Sequence, residues 1–206
     1  MGAGEAKIVG IVLAAGLSKR MGAVKSLLQW GDSPLLERVI AHAFRSKLDG
    51  LVVVLGYEAE KICKGVDFGG AEVIINNDYR SGQSSSLQAG LGALAGDTEG
   101  AMFLLGDQPF ITHEVIDRLI SVFHERQSPL LIPTFHGKRG NPILMHRSLF
   151  NMVAYITGDV GARVLFAGLR DRIQEVAVPD PGILVDIDTI EQYRYHLRSP
   201  HGPEGS

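Results

Sequence analysis

Three short apolar runs constrain this chain's fold more than any other feature: Ile8–Ala14, Leu51–Leu55 and Ala101–Leu105. A strand with one wetted face alternates apolar and polar residues, and these runs do not. Each therefore reads as a strand buried on both sides. Helical spacing separates them. Pro34–Phe44 carries Leu35, Leu36, Val39, Ile40 and Ala43 on one side. Glu58–Lys64 reads as helix and Glu72–Ile75 as strand. Ser84–Ala95 gathers Leu87, Leu91 and Leu94, and Thr112 suits the cap of a helix over Glu114–Arg126. Strand alternating with helix predicts an α/β fold, a mainly parallel sheet flanked by helices on both faces.

The second half is less regular. Leu130–Thr134 and Pro142–Met145 read as strands joined by the turn chemistry of His136-Gly137-Lys138-Arg139-Gly140. Gly161–Leu169 reads as helix, Arg172–Val178 and Ile183–Ile187 as strands, and Thr189–Leu197 as the last helix. No repeat or linker divides the chain, so a single domain is expected over residues 1–198. Ser199–Ser206, rich in Pro, Gly and Ser, is expected to be a disordered tail.

Composition excludes several classes. With 206 residues, 45% of them hydrophobic, the chain is long enough to bury a core. A net charge of -3 argues against a nucleic-acid surface, which needs a basic face. Cationic residues are scattered, so no electrostatic membrane anchor is expected, and Leu51–Leu55 is far too short to span a bilayer. Met1–Lys7 has no apolar stretch of signal length. The single cysteine, Cys63, forms no internal disulfide, which suits a reducing, cytoplasmic setting, and is expected to serve packing. The histidines lack H-E-x-x-H spacing, and one cysteine argues against structural zinc. There is no G-x-S-x-G nucleophile elbow.

Open α/β sheets bind ligands beyond the carboxyl ends of their strands. Three segments lie there: the loops after Ala14 and Leu105, and the turn after Ile187. In the first, Gly16 and Gly22 permit close approach of a phosphate, and Arg20 and Lys25 balance its charge. The loop is neither a Walker A motif nor a G-x-G-x-x-G fingerprint. In the second, Asp107 stands at a strand tip, where a carboxylate suits a hard cation such as Mg²⁺ or simply caps a turn. In the third, Asp186 and Asp188 alternate along an extended segment and point to opposite faces, so one of them aims at the site. Asp188 also fits the N-cap of the last helix. Ser81-Gly82-Gln83-Ser84-Ser85-Ser86 suits either contacts to a ribose or base or a capped helix start. Gly158–Arg163 either presents Arg163 to an anionic acceptor or simply starts a helix. Gly140-Asn141-Pro142 is a hairpin exit first and a substrate contact second.

Together these segments resemble the nucleotidyltransferases of the molybdenum cofactor family. The matching pieces are Leu13-Ala14-Ala15-Gly16-x-Ser18-x-Arg20-Met21-Gly22, Lys25, Gly82-x-Ser84-Ser85-Ser86-Leu87, Gly106-Asp107-Gln108-Pro109, Gly140-Asn141-Pro142, Gly158-Asp159-x-Gly161-Ala162-Arg163 and Asp186-Ile187-Asp188-Thr189. They occur in the family's order across residues 8 to 195.

The resemblance implies a Rossmann-like nucleotidyltransferase fold, a nucleoside triphosphate and Mg²⁺. The nucleotide would be held by Leu13, Ala14, Ala15, Gly16, Ser18, Arg20 and Lys25, with Gly82, Ser84, Ser86 and Gly106. Asp107 and Asp188 would be the metal ligands, Arg20, Lys25 and Asp107 the catalytic groups, and Asn141 and Arg163 acceptor contacts. The expected reaction moves CMP from CTP to the terminal phosphate of molybdopterin and releases pyrophosphate, with transient contact to a molybdoenzyme or its chaperone. Guanylyl relatives read Leu-Ala-Gly-Gly in the first loop. Ala15 replaces the first of those glycines, and its methyl is expected to occupy space a purine needs. Other phosphorylated acceptors, GTP, and a cofactor-binding maturation chaperone are the alternatives.

Overall fold

The structure is a computed structural model that describes residues 6–18, 21–126 and 128–198. Arg20 and the 199–206 tail lie outside the described residues. Strand β1 (Ile8–Ala14) sits centrally and pairs in parallel with β4 (Gly50–Leu55) and β6 (Gly100–Leu105). Beyond β4 lies β5 (Glu72–Ile75). On the other side follow β9 (Ile143–His146), β7 (Leu130–Phe135) and β10 (Ile173–Ala177). The full order is β10-β7-β9-β6-β1-β4-β5, with β8 (Lys138–Arg139) folded onto β7. Of these strands β8 and β9 run antiparallel to the rest, so the expected mainly parallel sheet is the one observed.

Period-two alternation places β1 in two cores at once. Ile8 and Val12 join α1 (Leu35–Arg45), α2 (Ala59–Gly65) and α4 (His113–Arg126) on one face. Val9, Ile11 and Leu13 join α3 (Gln83–Gly92) and α5 (Phe150–Val153) on the other. This two-sided burial is why the strand is uniformly apolar. Register then positions the site. Leu13 lies opposite Leu105 and Ala14 opposite Leu55, so their following loops leave one edge side by side.

The β7–β8 hairpin turns at His136 and Gly137, both with positive φ (48° and 74°), the backbone of a tight primed turn. Four expectations change. Gly161–Leu169, expected as helix, contains a 3-10 segment over Ala162–Gly168 instead. Ile183–Ile187 is not a strand. Asp180 accepts from the Gly182 N–H at 2.8 Å and Pro181 starts a 3-10 turn over Pro181–Leu184, after which the chain crosses the strand ends. Thr189, not Asp188, caps α6 (Ile190–Leu197), in a capping box with Gln192. Cys63 is exposed, because Ala59 and Ile62 carry the buried side of α2. A small hairpin, β2 (Gln29–Trp30) and β3 (Ser33–Pro34), was not legible and carries the buried Trp30.

His42 of α1 is 9% exposed and stacks near His113 of α4, ring centroids 6.3 Å apart. Burial, with Arg38 and Arg45 nearby, pulls its pKa down to about 4. The unfolded chain protonates His42 near pH 6.5, so this contribution is complete above 6.5 and is lost as pH falls towards 4. Up to about 3 kcal/mol of stability is expected to vanish across that window. Urea unfolding at pH 7 and pH 4.5 should show a smaller difference in His42→Gln than in the wild type. An equal difference would remove His42 as the cause.

Candidate active site

The strand tips open into a cleft of about 590 Å³. Its floor is the end of β1. Gly106 N–H donates to the Leu13 carbonyl at 3.0 Å, and a Cβ on Gly106 would sit 3.0 Å from the Ala14 Cβ, so glycine permits this close approach. The first loop turns at Ser18 (φ 49°), whose carbonyl accepts from Met21 N–H and whose hydroxyl accepts from Lys25 N–H at 3.3 Å. That turn sends the Lys25 side chain inward.

Lys25 Nζ donates to Asp107 Oδ2 at 2.8 Å and to Asp188 Oδ1 at 3.0 Å. Its side chain is 14% exposed, against 26% and 31% for the two aspartates. Burial alone would lower the Lys25 pKa. The charge of Asp107 and the hydrogen bonds that Lys25 donates to both carboxylates more than offset this and hold it above the ordinary 10.5. Asp107 and Asp188 therefore share the Lys25 ammonium in a partly dry gap. Among the described residues no group of three or more His, Cys, Asp or Glu forms a metal cage. A pair of carboxylates nevertheless fits Mg²⁺, which takes its remaining oxygens from water and substrate phosphates.

A third cluster of buried residues sets the direction of the two late aspartates. Ile187 is fully buried among Met21, Trp30, Leu35 and Phe110, and Trp30 meets Phe110 edge to face at 5.4 Å. Ile187 N–H also donates to the Asp107 carbonyl at 3.0 Å. With Ile187 pinned inward, its neighbours splay apart, as expected from their alternation. Asp188 lines the large cleft, while Asp186 lines a smaller chamber of about 200 Å³. Asp186 accepts a hydrogen bond from the Gln108 amide. Desolvation of its carboxyl and the charge of Asp107 push its pKa up, against the opposing pull of Gln108 and Arg163.

Of the expected nucleotide contacts, Leu13, Ala14, Ala15, Gly16, Ser18, Lys25, Gly82, Ser86 and Gly106 line the large cleft, together with the expected metal ligands Asp107 and Asp188. Ser84 does not. It is 3% exposed and its hydroxyl donates to the Gly158 carbonyl at 2.8 Å, tying the start of α3 to the 158–161 loop. Gly82 (φ 105°) lies against that loop, and a Cβ there would come within 2.3 Å of the Gly158 carbonyl carbon. Ser86 accepts from Asn76 Nδ2 at 3.1 Å. Ala15 is 5% exposed, and a Cβ on Gly56 would lie 2.9 Å from its methyl and 2.6 Å from the Tyr79 Cβ. Ala15 therefore sits in the wall of the large cleft with its methyl beside Gly56. Asn141 and Arg163, expected at the acceptor, line the smaller chamber.

Ser26 and Arg80 line the cleft without having stood out in the sequence, while Ser81, Gln83 and Asp159 entered there only as members of longer runs. The signal was their adjacency to Lys25, Gly82 and Gly158. No helix among the described residues is long and apolar enough to cross a membrane.

Comparison with known proteins agrees with this geometry. A family model described as the MobA-like NTP transferase domain matches residues 10–175. The molybdenum cofactor cytidylyltransferase of Escherichia coli is 27% identical over 89% of this chain and 92% of its own. The nicotine blue oxidoreductase of Paenarthrobacter nicotinovorans is 28% identical over 90% of this chain and 94% of its own. A crystal structure of Rv0371c from Mycobacterium tuberculosis in complex with manganese superposes with a TM-score of 0.81 at 28% identity, covering 94% of this chain and 99% of that one. The fold, the cleft at its strand tips and the family match over most of the chain agree: the protein belongs to the MobA-like NTP transferase family.

Proposed function

We propose that the protein transfers CMP from CTP to the terminal phosphate of molybdopterin and releases pyrophosphate. The observation that carries the reading is Lys25 Nζ held by Asp107 and Asp188 at the mouth of the central strand. Three charges so placed match the needs of a reacting triphosphate and its metal ion.

An oxygen of the acceptor phosphate attacks the α-phosphorus in line. The new P–O bond forms as the bond to the β-phosphate oxygen breaks, and the electron pair leaves with pyrophosphate. A phosphate monoester carries most of its second charge at neutral pH, so no protein base is needed. Asp107 and Asp188 would hold Mg²⁺, which supplies positive charge against the phosphate oxygens. Lys25 donates to the phosphates and counters the charge that moves onto the leaving group. The first loop offers backbone N–H groups, and a Cβ on Gly16 would meet nothing within 4 Å, so a phosphate has clear access there. Tyr79 and the start of α3 form the wall for the nucleoside.

The test is pyrophosphate release from CTP or GTP with Mg²⁺ and purified molybdopterin, the metal-loaded form included. Release is expected from CTP and only with the acceptor. Release from GTP instead would move the protein to guanylyl transfer. No release from either, with nucleotide still bound, would overturn the acceptor and leave a sugar or polyol phosphate or a maturation role.

A further inference from the structure

Asp186 takes no part in the transfer step, yet it is as tightly placed as the residues that do. It lines the smaller chamber, which shares Leu13, Gln83 and Leu105 with the nucleotide cleft. Leu87, Phe103 and Ile143 make the chamber's other walls apolar. Apolar walls with a few placed polar groups suit a flat heterocycle.

Two constraints aim Asp186. Burial of Ile187 forbids the segment from rotating, because turning Asp186 out would pull a fully buried side chain into water. Gln108, 1% exposed, donates its amide N–H to Asp186 Oδ1. The amide oxygen of Gln108 is buried without a partner among the described residues. A buried carbonyl left unpaired is costly, so the fold accepts a penalty at the residue that orients Asp186. A carboxylate with one oxygen held by Gln108 still has lone pairs to accept from neighbouring N–H donors. Arg163 at the same chamber supplies the charge to hold an anionic tail.

We propose that the smaller chamber binds the ring of the acceptor, and that Asp186, held by Gln108, selects a nitrogen heterocycle presenting adjacent N–H donors. The proposal rests on the molybdopterin reading, whose pterin head carries a ring N–H beside an exocyclic amine. The Asp-Ile-Asp alternation then divides the labour: Asp188 serves the nucleotide cleft and Asp186 reads the acceptor.

The experiment uses the full chain and two phosphate-free probes, pterin and its 2-oxo analogue lumazine, with binding followed by their own fluorescence. Lumazine places a carbonyl where pterin has the amine and sets it against the carboxylate. The wild type is expected to bind pterin about tenfold or more tightly than lumazine, in line with sites that hydrogen-bond a donor their ligand must carry. Asp186→Asn should lose about tenfold in pterin affinity and most of that preference, while Mg²⁺–CTP affinity by calorimetry stays within about twofold. Equal affinity for the two rings, or an unchanged pterin affinity in Asp186→Asn, overturns the proposal. Parallel loss of CTP binding also overturns it, since Asp186 would then be a structural residue. A preserved ring preference without CMP transfer to molybdopterin would sink the proposed reaction and keep the chamber. Transfer without a ring preference would do the reverse.

Discussion

Asp107→Ala is expected to lower kcat/KM for nucleotidyl transfer by about 10³-fold or more, with the melting temperature nearly unchanged. The two halves of that expectation have separate physical origins. Asp107 follows the last residues of β6, and its side chain is 26% exposed. Removing it opens no cavity, and the lost ion pair with Lys25 is of the partly solvated kind that contributes little to folding. The site suffers far more. One of two carboxylates disappears, and Lys25 is left to Asp188 alone. A hard divalent ion with a single protein ligand is poorly placed against a triphosphate. Pyrophosphate release with Mn²⁺ or Mg²⁺ gives the rate, and Mn²⁺ binding by electron paramagnetic resonance gives a readout independent of turnover. Near-normal metal-dependent rates in a folded Asp107→Ala protein would remove Asp107 from the metal site.

The fold was legible where burial imposes a period. Ile8–Ala14 and Ala101–Leu105 are apolar throughout because helices cover both their faces, and they emerged as strands within a residue of their observed limits. Part of the site was legible from topology. Lys25 and Asp107 lie in the segments that follow β1 and β6, adjacent parallel strands whose carboxyl ends are where an α/β sheet places ligands. Asp188 joins them from a segment that is not a strand. Legibility failed where no period operates. Ile183–Ile187 has strand composition, yet β10 already occupies the sheet edge, and the segment is spent crossing strand tips. Ser84 matched its motif by type, but its hydroxyl serves Gly158, a partner 74 residues away that local pattern does not reveal. Trp30 gave no signal at all. Its meaning appears only when Phe110 and Ile187 converge on it and fix the direction of the Asp186–Asp188 pair.

Lys25→Ala should cost about 2–4 kcal/mol of transition-state stabilisation, the scale of one preorganised electrostatic contact. In the free protein the ammonium bridges Asp107 and Asp188, and its raised pKa keeps it charged through the whole neutral range. When the triphosphate and a divalent ion enter, those carboxylates gain a stronger partner and the ammonium turns to phosphate. Alanine removes both roles, and they move in opposite directions. Nucleotide binding and kcat/KM fall, because nothing replaces the donor to phosphate. Affinity for Mn²⁺ alone rises, because the Lys25 ammonium no longer competes with the metal for the two carboxylates. A structural lysine would not produce that split, since misfolding lowers both. Calorimetry of Mn²⁺ with and without CTP, beside the rate measurement, separates the cases. A loss in kcat/KM below about tenfold would reduce Lys25 to a partner of the two aspartates and no more.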